Sequence, residues 1–308
     1  MRTSRALLLL AWVAAGCALP APPAPVDAAK QRARAAAIDS LRLAISARPN
    51  DIDLLARLAV CQRRSGTPSG RARSVETIDR ALAIAPDDPS LHLERGLTML
   101  ARRFTGEAQR CFRRVTELDP SRSEAWLELG LIEKRRFLVA WRPRERLGRA
   151  ARLIRHAARL APADARITRE LAVIELLRER WTDARRAAGR LSRLCPEDPA
   201  GHLVEAAAFL ACGRFADAEE AFGRAFPLMP PERRAAYEDI SSLLEPAERE
   251  RYLTLPDEAK LQRNETHWIM NDPTPATPLN ERRLEHYRRV FLAGAFFGGF
   301  GKHGADTH

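Results

Sequence analysis

Residues 213–230 decide the fold, and they read GRFADAEEAFGRAFPLMP. Counting back twelve, eight and five places from Pro230 gives Ala218, Phe222 and Ala225, a series of small, large and small side chains. Spacings of four and three residues place these side chains on one stripe of a helix, where the small ones let a second helix approach closely. The segment therefore predicts a helix that packs one face tightly against a neighbouring helix.

The same series recurs before other prolines that end helical segments. Its further members are Ala37, Leu41 and Ala44, then Ala108, Phe112 and Val115, then Ala150, Ile154 and Ala157. Intervals of 37, 34, 42, 34 and 34 residues separate Pro49, Pro86, Pro120, Pro162, Pro196 and Pro230. A fixed period in this range is typical of a helical solenoid, in which each hairpin buries one face only by stacking on the next.

A second pattern lies in the helix that should precede each packing helix. Trp126, Leu129 and Gly130 stand six, nine and ten places after Pro120 and form an aromatic, leucine and glycine face. The turn sequence RWTDA at residues 180–184 also matches the GRFADA that opens the segment quoted first. Both features indicate pairs of helices joined by a short turn.

Together these features resemble the tetratricopeptide repeat (TPR), and the resemblance covers residues 28 to about 230. It implies an all-α, right-handed superhelix of five antiparallel helical hairpins preceded by one helix, followed by a partial, mostly helical C-terminal region. Three hairpins depart from the repeat, the first of them by three extra residues within positions 65–70. His92 and Arg95 replace the aromatic residue and the leucine after Pro86, and the 42-residue period carries eight extra residues around positions 141–144.

The first seventeen residues have the pattern of an export signal. Arg2 and Arg5 precede an apolar run over residues 6–15, and small residues then lead to Cys17. This ending resembles the lipobox of bacterial lipoproteins, which implies acylation of Cys17 after cleavage; the alternative is an ordinary cleaved signal with an incidental cysteine. The apolar run is too short to remain as a membrane span, which needs about twenty residues.

The expected domains follow from these boundaries. After the signal peptide at 1–17, four prolines within residues 18–27 predict an extended tether. The repeat array is expected at 28–230, and a further region at 231–308. The lipoprotein resemblance implies an exported, membrane-anchored protein, at the periplasmic face of the outer membrane in a Gram-negative cell because alanine follows Cys17.

The TPR resemblance also implies that partners bind along a concave groove formed by the first helices. The groove positions are unusually apolar, and they hold Leu93, Leu97, Leu100, Leu127, Leu131, Val173, Leu176, Leu203 and Leu210. An exposed stripe this long would exceed the few hundred Å² typical of a monomer, so we expect a cover. Our interpretation is an amphipathic segment, either this chain's own C-terminal helices or a partner's helix or strand. The alternative is that superhelix curvature closes the groove on itself.

Residues 231–308 follow a different pattern. Along them stand, in order, Trp268, Asp272, Pro273, Pro275, Asn280, Glu281, Tyr287 and Arg288. This order resembles the opening of the GWxTD domain, which often follows TPR repeats in bacterial envelope proteins, over about residues 232–300. The resemblance implies a family motif of unknown role. The family motif proper is due near His308, where only Gly304-Ala305-Asp306-Thr307 stands, so a truncated domain is expected.

Capping rules make a separate prediction for the same region. Thr277 is expected to cap a helix whose first position is Pro278, with Glu281 favoured in the first turn by the helix dipole. The final helix carries four apolar rings, which suit a docking face for the groove or for the missing part of the domain. They belong to Phe291, Phe296, Phe297 and Phe300.

Composition favours binding over chemistry. The net charge is +11, but only four of the 51 basic residues are lysines, and the arginines are scattered rather than clustered. Nucleic-acid binding is therefore not expected. The sequence has no HExxH or CxxC pair, no GxSxG and no glycine-rich phosphate loop, so we predict no catalytic residue, metal ligand or cofactor.

The function predicted from these observations is a non-catalytic, envelope-anchored scaffold or adaptor that holds protein partners. The TPR resemblance supplies the binding role, and Cys17 supplies the anchor. The alternative is an enzyme or ligand-binding subunit whose site lies in the GWxTD-like C-terminal region.

Overall fold

The computed structural model describes residues 28–139 and 143–297. Over these residues the chain forms α-helices, short 3-10 turns and loops, and no β-strand. The predicted signal peptide, Cys17, the tether and residues 298–308 lie outside the described part. The helices form two compact units, divided after Pro162.

The first unit consists of one helix followed by three antiparallel hairpins. Its helices are α1 (Ala28–Ala47), α2 (Ile52–Arg64), α3 (Pro68–Ile84), α4 (Pro89–Ala101), α5 (Thr105–Leu118), α6 (Ser123–Val139) and α7 (Pro143–Leu160). Helix α2 pairs with α3, α4 with α5, and α6 with α7, and each hairpin contacts the next. Each hairpin of this unit therefore packs part of its apolar surface against a neighbouring hairpin.

The second unit contains two more hairpins and a group of C-terminal helices. Its helices are α8 (Ala165–Leu177), α9 (Trp181–Leu194), α10 (Ala200–Ala211), α11 (Phe215–Ala225), α12 (Pro231–Glu238), α13 (Pro246–Leu253), α14 (Asp257–Met270) and α15 (Glu281–Phe297). Helix α8 pairs with α9, and α10 with α11. The all-helical, hairpin-based fold class predicted from the sequence is confirmed over the described residues.

Aspartates placed two residues after a period proline begin three of the first helices. Asp51, Asp88 and Asp164 each accept a hydrogen bond from the backbone amide three residues later, at 3.1, 3.2 and 3.0 Å. Such a side chain satisfies one of the amides that have no partner within the first turn of a helix. The proline therefore ends one hairpin and the aspartate starts the next.

Three hairpin turns share one backbone conformation. Arg103, Glu179 and Gly213 have φ angles of 67°, 60° and 73°, in the left-handed region. In each turn the next residue's amide donates to the carbonyl five residues earlier, at 2.9, 2.9 and 3.0 Å, as in a Schellman motif. A side chain in this conformation costs about 1 kcal/mol relative to glycine. Because arginine and glutamate adopt it too, packing rather than glycine content sets the turn.

The predicted small-large-small stripe is buried in the hairpins, whereas of its members in α1 only Leu41 is buried, Ala44 is half-buried and Ala37 is exposed. Phe112 and Ile154 are fully buried, and Phe222 is 1% exposed. The alanines and the valine that flank them are 0% exposed. The first helix of a hairpin presents a glycine to the large residue. A Cβ added at Gly130 would lie 2.6 Å from Ile154 Cγ1, and one at Gly96 would lie 2.5 Å from Phe112 Cε1. The absent side chains let the two helices approach closely.

The eight extra residues of the third hairpin lengthen its helices. Helices α6 and α7 have 17 and 18 residues, whereas α4 and α5 have 13 and 14. Because a helical turn contains about 3.6 residues, the insertion amounts to about one turn added to each helix. The extra residues on either side of positions 140–142 are therefore helical.

The close approach of α6 to α7 can be tested with two glycines of the same hairpin. We expect Gly130→Ala to lower the free energy of unfolding by about 1–3 kcal/mol, because the new methyl group would overlap Ile154. Gly148→Ala should leave it unchanged or raise it by up to about 1 kcal/mol, because that site is open and alanine favours helix. Chemical denaturation followed by circular dichroism measures both. Equal effects of the two substitutions would contradict the close packing.

Candidate functional site

In the second unit, the predicted groove residues are buried. Val173, Leu176, Leu203 and Leu210 are between 0% and 8% exposed. Helix α15 lies against α10, α11 and α12. Its apolar residues Leu284, Tyr287 and Phe291 belong to the same core cluster as the four groove residues. A segment of this chain therefore shares the core that includes this part of the predicted groove.

Aromatic contacts hold α15 in place. The Tyr287 ring lies 5.3 Å from Phe222, 5.0 Å from Phe226 and 6.2 Å from Tyr237, each in an edge-to-face arrangement. Ring pairs at such distances add about 0.5–1.5 kcal/mol each beyond the burial of apolar area. Burial raises the pKa of the Tyr287 phenol, and the neighbouring Arg283 opposes that shift. Tyr287 is therefore the residue through which α15 is fixed to the last hairpin.

In the first unit, the predicted groove is only half covered. Leu93, Leu97, Leu100 and Leu131 are each half-buried, whereas Leu127 is buried. The three leucines of α4 pack at the edge of a cluster centred on Phe112. The two units thus treat equivalent positions differently, because the apolar stripe stays partly open only in the first.

The residues of the C-terminal motif meet in the connection between α14 and α15. The Asn280 side chain donates to the Trp268 carbonyl at 2.6 Å and accepts from the Arg283 amide at 2.9 Å. Asn280 therefore caps α15, and Glu281 lies in its first turn as expected. The predicted cap at Thr277 is wrong: its hydroxyl donates to the Thr274 carbonyl at 3.0 Å instead. Asn280 replaces it because one amide group can satisfy both helices.

The other motif residues stabilise the same connection. Asp272 accepts from the Thr274 amide at 2.9 Å, and the Thr274 hydroxyl donates to Glu281. Pro273 and Pro275 are exposed in the turn. Arg288, which is half-buried, pairs with Glu285 one turn earlier on α15, with nitrogen to oxygen distances of 2.8 and 3.1 Å. The contacts seen at these positions are those that shape a turn and fix a helix.

The side chain of His286 on α15 is buried. Its ring centroid lies 5.3 Å from that of Trp268. Burial lowers the pKa of His286 to about 4, with a smaller opposing effect from a hydrogen bond with the Tyr237 backbone. Over the described residues, no group of three His, Cys, Asp or Glu side chains could hold a metal ion. No described helix is long and apolar enough to cross a membrane.

Similarity to known proteins is seen in structure and not in sequence. No protein-family model matches the chain, and no curated protein matches it. Pseudomonas aeruginosa pilF is similar, with a TM-score of 0.54 and 17% identity, over 73% of this chain and 90% of that one.

Two further solved structures give the same result. The C-terminal part of a TPR repeat-containing protein from Cytophaga hutchinsonii has a TM-score of 0.53 and 16% identity, over 83% of this chain and 95% of that one. YrrB, described as a TPR protein with an unusual peptide-binding site, has a TM-score of 0.50 and 13% identity, over 64% and 96%. These likenesses show that the fold is that of TPR-repeat helical solenoids.

The burial of His286 predicts that stability depends on pH. Because the pKa of His286 is about 4 in the folded chain and about 6.5 when unfolded, the unfolded state takes up a proton first as the pH falls. The folded state should therefore lose about 2–3 kcal/mol between pH 7 and pH 4 through this one group. In His286→Gln that part of the dependence should vanish. Urea unfolding at several pH values measures it, and an unchanged slope in the variant would refute the assignment.

Proposed function

We propose that this protein is a non-catalytic, envelope-anchored scaffold that holds protein partners on the apolar groove of its first unit. The observation that supports the proposal most directly is the half-open stripe of Leu93, Leu97, Leu100 and Leu131. The equivalent residues of the second unit share a core with α15, so the chain itself provides an example of an amphipathic helix packed on such a surface.

The chemistry of the stripe defines the partner. Half-buried leucines on adjacent first helices offer apolar contacts along a line, which suit the apolar face of a helix laid lengthwise. Such a partner would bury the part of each leucine that is still exposed. Each Å² of apolar surface removed from water would contribute roughly 25 cal/mol to the binding free energy. The peptide-binding site attributed to YrrB is consistent with this use of the fold.

The anchoring part of the proposal comes from residues outside the described structure. We assign residues 1–17 to a lipoprotein signal peptide, Cys17 to the acylation site, and residues 18–27 to a tether that holds the array of 28–230 away from the membrane. The outer membrane is the proposed location in a Gram-negative cell. Residues 231–308 are assigned to a GWxTD-like region, in which α15 acts as a cover for the last hairpin.

The groove assignment predicts a loss of partners from a double variant. Leu97→Ser/Leu131→Ser removes two apolar contacts from the stripe. The yield of the proteins that cross-link to the wild-type chain in cells should therefore fall by about tenfold. The control Leu43→Ser/Leu261→Ser changes two leucines that are 75% and 54% exposed, and it should retain them. Thermal unfolding verifies that all chains fold. Full retention of partners by the groove variant, together with unchanged thermal stability, would refute the groove proposal.

The anchor proposal has its own test. In a Gram-negative host, the wild-type chain should fractionate with outer membranes and incorporate a labelled fatty acid. Cys17→Ala removes the thiol that would carry the lipid, so the variant should lose the label. It should also leave the outer-membrane fraction. A variant that keeps both properties would show that Cys17 is not the anchor.

A further inference from the structure

A cationic cleft opens between α5, α6 and α7 in the first unit. Its volume is about 440 Å³, which lies in the range of ligand-binding clefts. The cleft and the groove use different residues of α6. Trp126, Leu129 and Glu133 line the cleft, whereas Leu127 and Leu131 belong to the groove and are not in the cleft lining. The two surfaces are lined by different residues, and Leu129 and Leu153 of the cleft belong to the same apolar cluster as the leucines of α4.

Charge is strongly unbalanced in this cleft. Four guanidinium groups line it, and Glu133 is the single carboxylate among the lining residues that the structure describes. The cations belong to Arg113, Arg149, Arg152 and Arg159. Unpaired guanidinium groups that share a cleft favour an anionic ligand, because each offers a planar fork of donors to a carboxylate.

Glu133 offsets only part of this charge, because its carboxylate is shared with Arg136 and Arg146, which do not line the cleft, as well as with Arg149. Its carboxylate is buried and accepts a hydrogen bond from Arg136 at 3.2 Å. Arg146 and Arg149 lie 3.6 and 3.9 Å from its second oxygen. Within residues 28–139 and 143–297, Arg113 and Arg152 have no carboxylate at ion-pair distance.

Three arginines elsewhere in the same unit are paired with carboxylates of other elements. Arg63 pairs with Glu94, Arg95 with Asp79 at 2.7 Å, and Arg114 with Asp87 at 2.6 Å. Each of these pairs joins one element of the solenoid to another. Arg113, Arg152 and Arg159 of the cleft make no such pair within the described residues, and Arg149 makes one, to Glu133.

The floor of the cleft is apolar. Leu129 is buried, Leu153 is half-buried, and the half-buried indole of Trp126 lies edge-to-face with His156 at 4.5 Å. The indole nitrogen already donates to the Pro120 carbonyl at 2.9 Å. Trp126 can therefore offer a ligand only its ring surface, so the cleft suits an apolar group flanked by anions.

Length decides between a small anion and a chain. Arg149 and Arg159 are separated by about 15 Å along α7, at roughly 1.5 Å per residue. Two arginines this far apart along a helix are matched better by an extended ligand than by a single carboxylate or phosphate. An extended peptide rises about 3.3 Å per residue, so a segment of about five residues would reach both arginines.

We propose that this cleft binds a short acidic peptide segment of a protein partner, with an apolar side chain on Leu129 and Leu153 and carboxylates on the arginines. The inference deepens the proposed scaffold function and rests on it. Single-stranded nucleic acid fits less well, because it is held by successive aromatic rings on which bases stack, and the cleft lining contains one aromatic carbocycle.

Fluorescence anisotropy with the purified full-length chain tests the cleft. The probe is fluorescein-labelled Asp-Asp-Leu-Asp-Asp, with Asn-Asn-Leu-Asn-Asn and a five-nucleotide oligothymidine as comparisons, at about 0.15 M salt. The acidic peptide should bind at least about tenfold more tightly than either comparison. Replacing its leucine by serine should weaken binding about fivefold, because the apolar floor loses its contact.

Two double variants separate the cleft from general electrostatic attraction. Arg113→Glu/Arg152→Glu should weaken peptide binding by at least about tenfold. Arg110→Glu/Arg190→Glu makes the same change in net charge at exposed positions outside the cleft, and it should weaken binding by about twofold or less. Circular dichroism verifies that both fold.

Three results would overturn the inference: equal weakening in the two double variants, tighter binding of oligothymidine than of the peptide, or no binding of the acidic probe. If any of these occurs while Leu97→Ser/Leu131→Ser still loses its partners, the scaffold proposal stands and only the cleft assignment falls. If the groove variant also retains its partners, both proposals fail.

Discussion

Each hairpin of this fold has apolar residues on more faces than it can bury by itself, and the rest of the structure depends on that constraint. The first helix contacts the second through a glycine set against a large side chain, as in Gly130 and Ile154. The remaining apolar faces need the next hairpin. In a stack of such hairpins the inner ones are covered by their neighbours, and each end hairpin keeps an apolar face that no hairpin covers.

The last hairpin shows how the chain meets this constraint. Beyond α11 no further hairpin follows in the described chain, and α15 packs there instead. Tyr287 lies against Phe222 of the hairpin and Phe226 just beyond it, and Phe291 extends the same cluster. The Asn280 side chain ties the start of α15 to Trp268 and so sets where the helix begins. The motif residues of the C-terminal region thus help to position α15 on the last hairpin, which is a structural role.

The sequence could predict the repeats because their signals are local. A stripe of small and large residues, a period and a turn pattern all lie within one hairpin. The substitution of His92 for an aromatic residue is also local in its effect. His92 Nε2 lies 2.8 Å from the Pro86 carbonyl, and Trp126 donates to the equivalent carbonyl of Pro120 at 2.9 Å. Either ring can reach back six residues, so the repeat tolerates both.

What the sequence could not predict depends on contacts between distant residues. The sequence rule that places proline at the first position of a helix favours Thr277 over Asn280 as the cap, because Pro278 follows Thr277. In the folded chain it is Asn280 that caps the helix and also bonds to the Trp268 carbonyl. The cationic cleft was missed for a similar reason. Its arginines resemble the other scattered arginines in sequence, and only the folded chain brings four of them to one cleft with a single carboxylate.

The extra turns of the third hairpin connect the repeat to that cleft. Period for period, α6 ends four residues later than the first helices of the other hairpins, and α7 begins four residues earlier than α5, α9 and α11, so Arg136 and Arg146 both belong to added turns. These two arginines lie 3.2 and 3.6 Å from the buried Glu133. They share the carboxylate with Arg149, so it does not offset the charge of Arg113, Arg152 and Arg159. Because a buried carboxylate must be neutralised locally, the insertion that departs from the repeat is also what leaves the cleft its excess of positive charge.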